Sequence, residues 1–183
     1  MMRIEVDGKD IKLTGHVNRK ILLDTNILVY AHIQDSRHHR SASSILIASL
    51  AGPLNAFVSN QNILEFYSVM TNPRKILRPS PKISEVHDIC KDLWQSKKLG
   101  KLFARGNATF EVIRLSREKN IRGPQIFDCL LAVTAIQNKI DVIWTENVGD
   151  FDLFKESIEI ENPLIQDWKT IMLDSRDGEN KSA

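Results

Sequence analysis

Short apolar runs punctuate the chain, and each one empties into polar or turn-forming residues. Lys20-Ile21-Leu22-Leu23 runs into Asp24-Thr25-Asn26, and Ala56-Phe57-Val58 is followed by Ser59-Asn60. Asp141-Val142-Ile143-Trp144-Thr145 gives way to Glu146-Asn147. Runs this short with no alternation predict strands buried on both faces. Leu102-Phe103-Ala104 and Ile158-Glu159-Ile160 are read as two further strands. Between these runs the apolar residues recur at helical spacing. One helix is predicted from Ile27-Leu28-Val29-Tyr30, one over 37–51 stopping at Gly52-Pro53, and one capped by Ser59 or Asn60 and ended by Asn72-Pro73. Three more follow: from about Ser84 with Gly100 closing the segment, from a Thr109 cap through Leu115, and from Gln125 to Asn138. Strand and helix therefore alternate, which selects a three-layer α/β/α sandwich around a mainly parallel sheet with right-handed crossovers.

Residues 1–18 alternate weakly around Asp7-Gly8 and read as an N-terminal extension in the form of a hairpin or extended arm. Residues 19–168 hold the predicted domain, and the polar stretch 169–183 has little to bury and reads as a disordered tail. At 183 residues with 42% hydrophobic and 26% charged residues, the chain is long enough for one real core and is neither fibrous nor disordered overall. A net charge of +2 does not by itself predict a nucleic-acid partner, so local charge must decide. Cys90 and Cys129 lie in apolar helical segments without metal-ligand spacing and read as buried thiols of a reducing cytoplasm. No apolar run approaches the ~20 residues that cross a bilayer, and no signal-peptide core follows Met1.

In a parallel sheet, ligands sit beyond the carboxyl ends of the strands. Four acids fall there: Asp24 after the first buried run, Glu65 in the helix after Val58-Ser59, Asp128 early in the helix after Gly123-Pro124, and Asp150 shortly after the Val142–Thr145 run. Singly, each has an ordinary explanation as a helix cap, a surface charge, a helix-start acid or a turn former. Together, four carboxylates in one pocket need a compensating cation, and their hard oxygens point to Mg²⁺ or Mn²⁺. Asp128 is the clearest case, because Phe127, Leu130 and Leu131 crowd it on an apolar helix.

The segments Leu22-Leu23-Asp24-Thr25-Asn26-Ile27-Leu28-Val29-Tyr30, Ile126-Phe127-Asp128-Cys129-Leu130-Leu131-Ala132 and Thr145-Glu146-Asn147-Val148-Gly149-Asp150-Phe151, with Glu65 between them, resemble the ordered motifs of the PIN domain over about residues 19–165. Within that superfamily the likeness is to VapC-type toxins, the ribonuclease members of toxin–antitoxin pairs. The resemblance implies a sheet in the order 3-2-1-4-5, one or two bound Mg²⁺ or Mn²⁺ ions, and metal-dependent hydrolysis of RNA phosphodiesters leaving a 5′-phosphate and a 3′-hydroxyl. It implies Asp24, Glu65 and Asp128 as metal-coordinating, catalytic acids and Asp150 as the fourth. Many relatives place an acid two residues after the threonine, where this chain has Asn147, so Asp150 and Asn147 both stand as candidates to complete the site. Asn26, Thr145 and Asn147 are implied as orienting residues. A small antitoxin protein and a homodimer are the implied protein partners, RNA the substrate, and the cytoplasm the location.

The cationic clusters His32, Arg37, His38, His39 and Arg40, then Arg74 and Lys75 with Arg78 and Lys82, and finally Lys97, Lys98, Lys101 and Arg105 either flank an acidic cleft to hold RNA phosphates or are solvated surface. Trp94, Trp144 and Trp168 read as packing residues. Two readings compete with the nuclease: a catalytically silent PIN-like module that binds RNA or protein, and an α/β domain using Asp24 as a phosphoacceptor. The second is disfavoured by Asn26 standing where the haloacid-type phosphatases need a second Asp. No glycine-rich phosphate loop and no Gly-x-Ser-x-Gly elbow is present.

Overall fold

The structure is a computed structural model and describes residues 2–6, 9–13, 19–72, 81–165 and 168. Strands β1 (Met2–Val6) and β2 (Lys9–Leu13) pair antiparallel with Met2 opposite Leu13, so the predicted extension contains a hairpin. The main chain then runs β3 (Ile21–Leu23), α1 (Thr25–His32), α2 (His39–Ala51), β4 (Ala56–Ser59), α3 (Asn60–Met70), α4 (Ile83–Gln95), β5 (Gly100–Leu102), α5 (Ala108–Glu118), α6 (Gln125–Gln137), β6 (Val142–Trp144), a 3₁₀ segment (Val148–Phe154) and β7 (Glu159–Glu161). The predicted tail, 169–183, lies outside the described residues.

The five main strands form one parallel sheet in the order β5-β4-β3-β6-β7. Counted within that sheet this is 3-2-1-4-5, the order the resemblance implied. The two-residue period of a strand builds two cores from one run. Ile21 and Leu23 pack on one face with α1, α2 and α3, whereas Leu22 packs on the other with α5 and α6. All three are fully buried, so no polar residue is tolerated in β3 and the short uniform run is explained. Trp144 and Trp168 are buried in the first core, and Trp94 lies edge-on against Phe103, in keeping with packing roles. Cys129 is buried, Cys90 is half-buried, and both are free thiols. Among the described residues no helix is long and apolar enough to cross a membrane.

Several expected boundaries shift. Gly100 does not close a helix: α4 stops at Gln95, and Gly100 pairs with Phe57 as the first residue of β5, which replaces the predicted Leu102-Phe103-Ala104 strand. The glycine is required by contact rather than by turn geometry, since a Cβ there would lie 2.2 Å from Phe57 Cδ1. α2 begins at His39 rather than residue 37, and α5 begins one residue ahead of Thr109, after Asn107. Ser59 does cap α3, in a reciprocal box with Asn62. Phe127 is exposed, so it does not crowd Asp128 as the apolar pattern suggested.

The close approach at Gly100 yields a first prediction. Gly100→Ala should destabilise the fold by about 1–3 kcal/mol, lowering the melting temperature by about 2–4 °C per kcal/mol. A circular-dichroism melt within 1 °C of wild type would show that Phe57 yields at no cost.

Candidate active site

The chain reverses its direction of travel across the sheet between β3 and β6, and the crevice beyond their carboxyl ends is where such sheets bind ligands. Asp24 stands at the end of β3, its N–H donating to Trp144 O (3.0 Å), so it is locked to β6 as well. Its carboxylate caps α1 by accepting from Thr25 N (2.6 Å), and its second oxygen accepts from Asn26 Nδ2 (2.8 Å) and Thr145 Oγ1 (2.7 Å). Asn26 Nδ2 also donates to Thr145 Oγ1 (2.9 Å), closing a ring of three side chains. Asn147 N donates to the same hydroxyl (3.0 Å), and Asp150 N donates to Asn147 O (3.0 Å).

Glu65 comes from α3 and is fixed from two sides: Thr25 Oγ1 donates to Oε2 (2.7 Å), and Gln61 Nε2 donates to Oε1 (2.8 Å). Gln61 also donates to Phe127 O (2.9 Å), tying α3 to the first turn of α6, where Asp128 is half-buried. Asn62 Nδ2 donates to Thr25 Oγ1 (3.1 Å), so the cap of α3 and the start of α1 share one network. Thr25, Gln61 and Asn62 were not singled out from sequence. The Ser59-x-x-Asn62 spacing was the available signal for the last of them.

The cationic residues are distributed unequally. His39 Nδ1 lies 3.1 Å from Tyr30 O and 3.3 Å from Ser43 Oγ, which makes it a link between α1 and α2. His38 is largely covered, whereas the Arg37 side chain is 81% exposed, and both meet the Glu146 carboxylate. Arg40 is exposed. Lys101 turns its ammonium onto the backbone oxygens of Ser96 and Leu99, away from any ligand. Arg74, Lys75 and Arg78 lie outside the described residues.

The PIN-domain family profile matches residues 21–154, 134 of the 183 residues. The chain belongs to the PIN-domain family. It is 29% identical over 147 residues to the protein named Ribonuclease VapC24 of Mycobacterium tuberculosis, covering 79% of this chain and 97% of that one. Among solved structures the fold matches Mycobacterium tuberculosis VapC20, described as a sarcin–ricin loop cleaving toxin (TM-score 0.53, 11% identity, 67% of this chain and 86% of that one). It also matches a DNA-bound VapBC from Salmonella typhimurium (TM-score 0.52, 18% identity, 79% and 98%).

In this PIN domain the four acids sense one another. Burial pushes the Asp24 carboxyl up to about 6 against the pull of Thr145 and Thr25, with Glu65 and Asp150 adding to the rise. Asp128 is pushed up to about 7, by burial first and then by Asp150, Asp24 and Glu65. Asp150 thus belongs to the same electrostatic cluster although it is exposed, while Asn147 contributes only backbone contacts. Among the described residues no lysine, arginine or histidine pairs with any of the four. As they stand, no three ligating groups among the described residues are close enough to hold one ion.

An acid whose carboxyl is raised on folding stabilises the protein below its unfolded value and loses that contribution as pH rises through the folded value. Between pH 4 and about 7 the metal-free protein should therefore lose stability from Asp24 and Asp128. In EDTA at pH 8, Asp128→Asn should melt above wild type, by about 2–4 °C per kcal/mol of burial cost and repulsion relieved, and the gap should close at pH 4. Equal melting temperatures at both pH values would contradict the coupling.

Proposed function

We propose that this PIN domain is a divalent-metal-dependent endoribonuclease that hydrolyses RNA phosphodiesters, acting in the cytoplasm as the toxin of a toxin–antitoxin pair. The observation that carries the reading is the electrostatic coupling of Asp24 and Asp128 to each other and to Glu65 and Asp150, with two carboxyl groups raised towards neutrality. The ribonuclease named among its relatives and the VapBC complexes among its structural neighbours support the substrate class and the antitoxin.

The donor set suits Mg²⁺ or Mn²⁺: hard carboxylate oxygens, mutually repelling, with no cationic side chain among the described residues to neutralise them. Asp24, Glu65 and Asp128 would hold the ion, with Asp150 as the fourth acid. What such an ion supplies when bound is Lewis-acid charge on the phosphodiester and a more acidic water for in-line attack. The chain's own part is positioning. Thr145 and Asn26 fix the Asp24 carboxylate through neutral donors, which orient it without cancelling its charge. Thr25 and Gln61 do the same for Glu65. Attack by water rather than by the ribose 2′-hydroxyl leaves a 5′-phosphate and a 3′-hydroxyl. A small antitoxin and a second copy of the chain are the protein partners of this reading, and the exposed Phe110, Ile113 and Phe127 supply apolar surface for such contacts. The free thiols agree with a reducing compartment.

Purified protein with Mn²⁺ should cut single-stranded RNA to 5′-phosphorylated products, and EDTA should stop it. Asp128→Asn should reduce kcat by more than about 100-fold while the far-ultraviolet circular dichroism is unchanged. Wild-type rates from a folded Asp128→Asn protein would sink the nuclease reading. An inert wild type that still binds RNA would favour the silent module.

A further inference from the structure

Glu146 lies between Thr145 and Asn147, and the site described above gives it no task. Its carboxylate is the meeting point of three side chains from across the crevice mouth. The Tyr30 hydroxyl donates to Oε2, Arg37 Nη2 donates to Oε1 (3.1 Å), and His38 Nε2 lies 2.9 Å from the same Oε1. Tyr30 is in the last turn of α1, and Arg37 and His38 come from the α1–α2 connection. The Tyr30 and His38 rings pack against each other with centroids 5.3 Å apart. Burial works against the Glu146 charge, but Tyr30, Arg37 and His38 outweigh it and hold the carboxyl below its ordinary value.

The backbone of Glu146 is pinned to the catalytic frame. Its N–H donates to Asn26 Oδ1 (3.3 Å) and its carbonyl accepts from Asn162 Nδ2 (3.2 Å). Asn26 is the residue whose amide also holds Asp24. One hydrogen-bonded residue therefore separates the Glu146 backbone from the Asp24 carboxylate. Exposure is graded across the cluster: the Glu146 side chain is 18% exposed and that of His38 12%, while Arg37 stands in solvent. Arg37 Nε is satisfied by His38 Nε2 (2.9 Å), and among the described residues Nη1 has no hydrogen-bond partner.

The charge arrangement argues for a role. A fifth carboxylate beside four others would repel a polyanion unless it were covered and paired, and Glu146 is both. The pairing leaves the outward edge of a guanidinium at the crevice mouth, oriented from below, and a guanidinium edge matches a phosphate in geometry and charge. We propose that Glu146 is a positioning residue that registers the Arg37 guanidinium against Asp24, so that Arg37 takes a backbone phosphate of the RNA entering the site. This inference rests on the ribonuclease reading.

The test is a double-mutant cycle in the full chain. Wild type, Arg37→Ala, Glu146→Ala and the double variant are compared for kcat and KM on a fluorescein-labelled single-stranded RNA with Mn²⁺. The Kd for the same RNA is read by anisotropy with Ca²⁺ replacing Mn²⁺. Arg37→Ala should raise KM and Kd about tenfold, the loss of one charge-assisted phosphate contact, with kcat within about twofold. Glu146→Ala should do nearly the same, and the double variant should be no worse than Arg37→Ala. Glu146→Gln, which keeps an acceptor for Tyr30 and Arg37, should recover part of the loss. Unchanged KM and Kd in Arg37→Ala overturn the proposal, as do additive losses in the double variant. So does a Glu146→Ala effect confined to kcat and melting temperature, which is what a merely structural role would give. Arg37 is exposed, so its variant folds and the cycle stays readable. A wild type that binds RNA without cutting fails the ribonuclease reading while the cycle in Kd still tests the positioning role. One that neither binds nor cuts overturns both.

Discussion

The burial of carboxylates beside one another at one edge of a parallel sheet is the constraint that the rest of this PIN domain serves. Asp24 and Asp128 both have carboxyl groups lifted well above their ordinary range, by burial and by the neighbouring acids. The fold orients Asp24 and Glu65 with neutral donors: a backbone N–H, two hydroxyls and two carboxamides reach their carboxylates, and no cation does so among the described residues. Such donors fix direction at modest energetic gain, about 0.5–1.5 kcal/mol each, and leave the negative charge available. An arrangement of this kind favours an external counterion over an internal salt bridge.

The sheet makes this placement rigid. Asp24 is locked by its own N–H to the end of β6 and by its side chain to Thr145, so the acid after β3 and the threonine after β6 are tied together. Gln61 performs the corresponding service between α3 and α6. Among the described residues, positive charge enters this frame at its rim, where Glu146 gathers Tyr30, Arg37 and His38. Acidic interior and basic rim are thus connected by hydrogen bonds through Asn26, which touches both.

Much of this was legible along the chain, for identifiable reasons. The Ile21–Leu23 run has no polar residue because both its faces are buried, so the strand and the acid that ends it announce themselves. The order of the sheet came from motif resemblance rather than from periodicity, which carries no neighbour information. Gly100 was misread as a helix stop because its cause is the Phe57 ring on the adjacent strand, a contact invisible in one dimension. The histidines and arginines after α1 looked alike in sequence; their partners, Tyr30 O for His39 and Glu146 for His38 and Arg37, separate them. Glu146 itself lies 109 residues from Arg37, and no local pattern marks it. Exposure misled in the other direction at Phe127, whose apolar neighbours in sequence are not its neighbours in space.

The central claim is that the raised carboxyl groups, which no cationic side chain among the described residues neutralises, form the proposed cation site. Proton-linked calorimetry tests it most directly: Mn²⁺ is titrated into the full chain at pH 6.5 in buffers of different ionisation enthalpy. The account predicts uptake accompanied by proton release, since ligands partly protonated at that pH must ionise to bind, and loss of that release in Asp128→Asn. Absence of uptake, or uptake with no proton released, would contradict it.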